Sequence, residues 1–480
     1  MQRIRDNWSS FRSALFERTN TDEEAWVDHE AIMTPREARL DRAALWLRGT
    51  AILLLVLAAA LLVLLAVTGQ MSTIRALALA GTTLPDDLAL IAALVGLTIN
   101  AGIILILAVG TLAQEFWTLP LLVLTIIANL IGLIAAQFFA GVLVIVLLGV
   151  VGRWLLADWR AFHLNPVAVK ELRGRMRGVR AFAIITVFLI MMSSFTLILY
   201  ILQLPSILGA RTIITGELGR VLFTGVVGAE LIMIVFIVPA LTAGAVAGER
   251  ERKTYDLLQT TLLPAPSFLV GKMESALGYI VLLLLSAIPL QSIAFLFGGI
   301  SESEVLLAFI VLAMTALILG AMGLYFSART DRTITATIRV YTIALAVIFA
   351  LPIVSVILFR TAFGRAVAGV AVGGASPALE ALSIYVDMIL NSLNPVTAAY
   401  YTQQMLVNQQ QMAVMSVQLQ TTGGTIPIIA PWILLVVIYL ILTAVLLLLA
   451  VRQMRGTGRV MQDDSDRQTP ALAASQTQPL

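Results

Sequence analysis

Glu230 is the residue in this sequence whose setting most suggests chemistry, because it stands inside the apolar run 221–247. An ionised side chain at such depth costs roughly 2.5–3.5 kcal/mol on insertion scales, so acids there line a path for substrate or ions, or find a partner. Two readings stand: a group in a translocation path, or an acid near the outer end of a tilted helix, wetted or paired with Arg220 or Arg211. Glu274 lies closer to the inner interface, where Lys272 or a lipid headgroup would pair with it. Covalent chemistry finds little material. His29 and His163 are the two histidines, so the serine of Gly374-Ala375-Ser376 has no later histidine to activate it. Cysteine is absent, which removes disulfides, thiolate zinc sites and cysteine nucleophiles. Tyr255-Asp256 has no second Gly-x-Gly-Asp beside it, and no H-E-x-x-H occurs. Gly271-Lys272 continues with Met273 and lacks the upstream glycine of a nucleotide-binding loop. The chain is therefore expected to be no enzyme and to bind no cofactor or metal of its own, with an intramembrane enzyme as the weakest alternative.

A second cluster has another character. Glu249, Arg250, Glu251 and Arg252 are consecutive ionisable residues between two runs long enough to span a bilayer, so they must sit in water or against protein. In a helix, Glu249 and Lys253 fall four apart in the favoured order, and Tyr255, Leu258 and Leu262 share a side. The residues alone allow a solvated loop or a short amphipathic helix on which a cytosolic partner docks.

The elements that carry these groups follow from composition. At 59% hydrophobic, 12% charged and a mean hydropathy of +0.95 over 480 residues, this is a polytopic, all-α integral membrane protein. No cleaved signal is evident, and the polar arm 1–46, with apolar residues at Ile4, Trp8, Phe11, Leu15 and Phe16, is either a surface-lying helix or solvated. Crossings are expected at 47–68, 88–113, 117–135 and 138–156, a four-helix module (47–160), and then at 181–204, 221–247, 268–297, 305–327, 335–359 and 426–451. Asn100 and Asn129 inside apolar helices suit hydrogen bonds between helices. Asn165-Pro166 reads as a helix start, a capping Asn with Pro at the first helical position. Val169, Leu172, Met176 and Val179 then share one side, with Lys170, Arg173, Arg177 and Arg180 on the next, as an interfacial helix requires; a plain basic loop is the alternative. Basic clusters recur on the same side at the turn Arg329 to Arg332 and at Arg452, Arg455 and Arg459, which puts both termini inside. Residues 360–425 fit short outer or re-entrant helices, with two further crossings as the competitor. The tail 456–480 reads as disordered.

Four stretches taken jointly, NPVAVKELRGRMRG, AGERERKTYDLLQTT with a following VGK, GLYFSARTDRTITATIRVYT and SLNPVTAAYY, resemble the type-2 ATP-binding-cassette (ABC) export permeases in order and spacing. The resemblance spans roughly residues 165–451. It implies a six-helix permease core (161–455); the four N-terminal crossings lie outside it as an accessory module, and with them the apolar runs give about ten transmembrane helices. It also implies an interfacial elbow helix (165–180) that includes Asn165, Pro166, Lys170, Glu171, Arg173 and Arg177. A coupling segment (248–267) would dock on a separate ATPase through Gly248, Glu249, Arg250, Glu251, Arg252, Thr254, Tyr255, Asp256, Leu257 and Leu258. Leu262 stands where the family commonly has Pro after the Thr pair, which leaves the end of the coupling helix open. ATP and Mg are expected in the partner ATPase, and a homodimer or heterodimer of permeases would flank the path, with no role for nucleic acid. The implied setting is the cell (inner or plasma) membrane and the implied function is export by alternating access. A non-transporting scaffold or force-transmitting complex keeps the same docking helix and is the other reading.

Overall fold

A hydrocarbon layer of about 30 Å is crossed by roughly 20 residues of helix, and backbone inside it must bond to itself. Among the described residues, ten helices have that length and apolar character, and the protein is an all-α multi-pass membrane protein. The computed structural model describes residues 35–68, 86–177, 179–209, 215–255, 264–357, 377–409, 411–419 and 423–475. Outside them lie most of the expected N-terminal arm with His29, Pro85, Arg211, the segment 256–263 with Asp256, Leu257, Leu258 and Leu262, and residues 358–376 with Ser376.

The first module comprises α1 (Pro35–Thr68), α2 (Asp86–Ala113), α3 (Thr118–Ala136) and α4 (Ala140–Ala157). Helix α1 starts well before the expected residue 47. Pro35 is its first residue, a position where proline loses no intrahelical bond, and Leu40, Ala43 and Leu47 already belong to the buried stripe. Arg39 then grips Asp158 at the end of α4 through two hydrogen bonds of 2.9 Å. At mid-helix the amide of Asn129 donates to Asn100 Oδ1 at 2.7 Å, the interhelical bond that two asparagines in apolar helices call for.

The second module opens with α5 (Pro166–Met176), α6 (Val179–Gly209), α7 (Thr215–Thr242) and the short α8 (Ala247–Glu251). It continues with α9 (Ala265–Leu296), α10 (Glu302–Arg329) and α11 (Thr333–Leu345), which runs through a π turn (Ala346–Ala350) into α12 (Leu351–Ser355). Helix α10 is the inner rod. Its Leu312 and Leu319 pack with Val226 and Val238 of α7, Leu283 of α9 and Leu435 of the last helix in one buried cluster. The turn between α9 and α10 needs Gly298 and Gly299, whose φ values of 82° and 80° suit glycine alone. Ser301 and Glu304 then close a reciprocal capping box.

Helices α13 (Pro377–Ser392) and α14 (Pro395–Gln409) follow, 16 and 15 residues long and not among the ten spans. An antiparallel pair, β1 (Val414–Gln418) and β2 (Thr425–Ile429), adds a small hairpin in register Val414 to Ile429. The final helix α15 (Pro431–Ser475) belongs to both modules: Leu435 packs in the core cluster and Ala444 in that of the first module. Gly102 of α2 lies against it so closely that an added Cβ would meet Leu440 Cδ2 at 2.6 Å. The tail expected to be disordered from residue 456 instead prolongs α15 to Ser475, since extending a helix already nucleated in a packed span costs little per residue.

Candidate functional site

The polar groups of interest gather on one membrane face, here the basal face, where α1, α9 and α11 begin and α2, α4, α7 and α10 end. Helix α8 lies at its centre. Its entry is fixed by Ser327 of α10, a fully buried hydroxyl that accepts from Val246 N and Ala247 N at 2.9 Å each. Arg250 then reaches Asp331 in the α10–α11 turn at 3.2 Å and lies 4.9 Å over the ring of buried Tyr255. Glu251 accepts from Thr333 N at 3.0 Å and from Thr333 Oγ1 at 2.7 Å, so its carboxylate caps α11, where the helix dipole favours negative charge.

Glu249 differs from its sequence expectation. It pairs with Lys272 of α9 at 3.3 Å and accepts from Thr254 Oγ1 at 2.6 Å. Lys253 is out of reach of the helical spacing because the helix stops at Glu251, and Lys253 itself turns left-handed with φ 57°. Tertiary partners on α9, α10 and α11 prevail over a local ion pair that is worth only a few tenths of a kcal/mol. Lys272 continues the chain of charges to Glu171 on α5, which also holds Arg175 one turn on at 3.5 Å. Gly248 packs against Thr333, and Arg252 and Lys253 remain exposed at the surface of the face.

Helix α5 starts as its sequence indicates. Asn165 Oδ1 accepts from Val167 N at 2.9 Å and Ala168 N at 3.4 Å, with Pro166 at the first position. The helix ends at Met176 rather than at 180: Arg177 is extended and α6 starts at Val179, in a stretch that Gly174 and Gly178 make a poor helix former. Lys170, Arg173 and Arg177 are exposed, as are the apolar Val169 and Met176, the two-sided character of an interfacial helix. Asn165 does more than cap. Its Nδ2 donates to Glu115 Oε1 at 2.5 Å and to Ser267 O at 2.6 Å, which ties the α2–α3 turn of the first module to the start of α9. Trp117 Nε1 adds a bond to Glu274 Oε1 at 2.7 Å, so the partner of Glu274 is this tryptophan, not Lys272. Burial and the neighbouring Glu274 carboxylate push the Glu115 carboxyl up to about 8 despite the Asn165 amide. At the edge of the face, the Arg39 guanidinium holds the Asp158 carboxyl below its usual range.

Glu230 lies deep in α7, 1% exposed, and both its oxygens accept from Gln291 Nε2 of α9 at 2.9 Å. Arg220 is not its partner; that side chain donates to Gly299 O at 2.8 Å. The apolar cavity of about 210 Å³ between α7, α10 and α14 is lined instead by Thr224, Glu304, Tyr400 and Gln403. The structure thus brings Glu249, Arg250, Glu251, Thr254 and Tyr255 together with Glu171 of α5 through Lys272, while Asn165 at the start of α5 bonds Ser267 of α9. It leaves Glu230 apart from them. Comparison with protein-family models and with curated proteins finds no match for the chain.

Proposed function

We propose that this chain is the membrane permease subunit of an exporter driven by a separate ATP-hydrolysing subunit that docks on the basal face. The way α8 is held carries the reading. This five-residue helix follows closely on α7, caps α11 through Glu251, holds the α10–α11 turn through Arg250 and reaches α9 and α5 through Glu249 and Lys272. A push on α8 therefore moves four crossings as one body, which is what a rigid-body alternating-access cycle requires. Exposed Arg252, Lys253, Asp331 and Arg332 around it offer a partner a mixed-charge surface that fixes register and speeds encounter.

In this reading the basal face is cytosolic, because exposed Lys170, Arg173, Arg177, Arg252, Lys253 and Arg332 gather there. Both termini then lie inside and the protein sits in the cell membrane. ATP and Mg belong to the docked subunit. An 18-residue apolar stretch of the spans on α6 and α11 is only 17% and 11% buried within the chain, and this leaves apolar faces for lipid and for a second permease across the path. The cavity beside Thr224, Glu304 and Gln403 would face that path.

The test is capture of a soluble ATP-binding-cassette ATPase subunit, expected to be encoded in an adjacent reading frame, by the full-length chain. Arg252→Glu with Lys253→Glu changes exposed charges without touching the bonds that hold α8. Capture should fall at least tenfold while the variant stays folded. Full capture by that variant would remove α8 as the docking element. ATP-dependent movement of a solute in vesicles holding both subunits distinguishes transport from a scaffold that captures the ATPase and moves nothing.

A further inference from the structure

The junction between the two modules holds a second, larger cavity, open on one side, that the docking reading does not use. It measures about 500 Å³ and lies between α2, the α2–α3 turn, α9, α10 and α15. That size is within the range of small-molecule sites. Most of its wall is hydrocarbon, from Ile106, Val109, Leu121, Val270, Met273 and Leu277. Two carboxyl groups break that wall at the basal end, Glu115 and Glu274, and both line the cavity.

No cation pairs with either acid among the described residues. Glu115 is 1% exposed, and the groups that face it are Glu274 of α9, the Asn165 amide of the cap and, across a backbone bridge, the exposed His163. Lys272, two residues before Glu274, is engaged by Glu171 and Glu249. Thr443 of α15 is among the lining residues on the opposite wall, and its fully buried hydroxyl has no hydrogen-bond partner among the described residues. A helical threonine ordinarily bonds the carbonyl one turn back, as Thr111, Thr125 and Thr315 do here. An orphaned hydroxyl in an apolar wall is costly unless something in the cavity meets it.

We propose that this cavity is a binding site for a single-chain amphiphile with a protonated primary amine. The ammonium would sit between Glu115 and Glu274, the tail along the apolar wall, and Thr443 would bond a polar group on the tail or a water carried in with it. A phospholipid is a poor fit, because its phosphate would lie beside two carboxylates. Binding exchanges charge for charge: the proton that keeps the buried Glu115 carboxyl neutral leaves to solvent as the ammonium, with its own three protons, takes its place. The site does not depend on the docking reading, and either can fail without the other.

The test uses the full-length chain in phosphatidylcholine nanodiscs. A dibrominated long-chain primary amine is titrated against tryptophan fluorescence, with the matching dibrominated alcohol and carboxylic acid in parallel. Trp117 lines the cavity, and Trp117→Phe identifies its share of the quenching. The amine should half-quench at a concentration at least tenfold below the alcohol, and Glu115→Gln with Glu274→Gln should abolish that advantage. Thr443→Val should weaken binding severalfold while leaving the carboxyl pair in place. On the unaltered protein, amine binding at pH 7 should release close to one proton, and at pH 9 far less. Equal quenching by amine, alcohol and acid, or no proton release at pH 7, would overturn the proposal, whatever the folding of the variants.

Discussion

Lys272→Met removes the one cation that joins α8 to α9 and α5 among the described residues. The ammonium pairs with Glu171 and with Glu249 at 3.3 Å, and it lies 5.3 Å over the Phe268 ring. Side-chain exposures are 13% for the lysine and 21% and 25% for the two acids. Exposed pairs contribute about 0–1 kcal/mol, and removing one partner of a fully buried pair costs about 3–5 kcal/mol. This partly buried trio falls between, at about 2 kcal/mol. Methionine keeps most of the apolar stem, so little packing is lost. Glu171 keeps Arg175 and Glu249 keeps Thr254, which prevents the larger penalty. The assay is reversible unfolding in mixed detergent micelles for the parent, Lys272→Met, Glu249→Gln and the double variant. If the pair acts as a unit, the double variant should be more stable than the sum of the singles predicts by about 1 kcal/mol. Additivity within about 0.3–0.5 kcal/mol would show the two side chains to be independent and would remove the ionic link on which the rigid-body reading rests.

Other perturbations follow from the same geometry. Glu115 is held near 8 in the folded chain against an ordinary value of 4.5, so the folded state binds more protons between those limits. Its contribution to stability is complete below about 4.5 and fades as pH rises toward 8; Glu115→Gln should flatten that decline in unfolding measured from about pH 4 to 9. Gly271→Ala places a Cβ 2.5 Å from Asn165 Oδ1 and 2.8 Å from Nδ2, so it should unseat the cap and speed hydrogen exchange at the start of α5, whereas Gly149→Ala, with nothing within 4 Å, should not. Asn394→Ala should cost about 2–3 kcal/mol in the same unfolding assay, because it strips two carbonyls and one cap of their partner, and Asn394→Asp should recover the cap alone.

The spans are legible in the sequence because each is a run of apolar residues of bilayer length, a property of composition that neighbours hardly modify. The Asn165-Pro166 start is legible for a related reason: capping is a bond between a side chain and backbone two or three residues on. The shape of the charged segment is not. Its helix stops after Glu251 because Ser327, Asp331, Thr333 and Lys272 each claim a group on it, and those residues are 23 or more positions away in sequence. Glu115 escapes sequence reading for the opposite reason, since an acid in a short turn between spans looks solvated. The adjacent Phe116 and Trp117 are the signal that this turn lies against something apolar. Gln291, the partner of Glu230, is 61 residues from it, and an amide two residues after Pro289 gives no local hint of that role.

The same constraint explains why amides recur at depth in this protein. Proline inside a membrane helix leaves a carbonyl without its donor, and hydrocarbon offers no water to replace it. Pro352 lacks the N–H that would bond Ile348 O. Asn394 Nδ2 fills that place, donating to Ile348 O at 2.9 Å and to Val347 O at 3.1 Å, while its Oδ1 caps α14 by accepting from Val396 N at 2.8 Å. One side chain thus secures the π turn of α11 and the start of α14 together, as Asn165 secures α5, the α2–α3 turn and α9. Each Asn-Pro pair converts a helix start, which is a local event, into a joint between elements distant in sequence. Movement at one joint must then break bonds at several elements at once, and of the two joints it is Asn165 that ties the first module, through Glu115, to the start of α9.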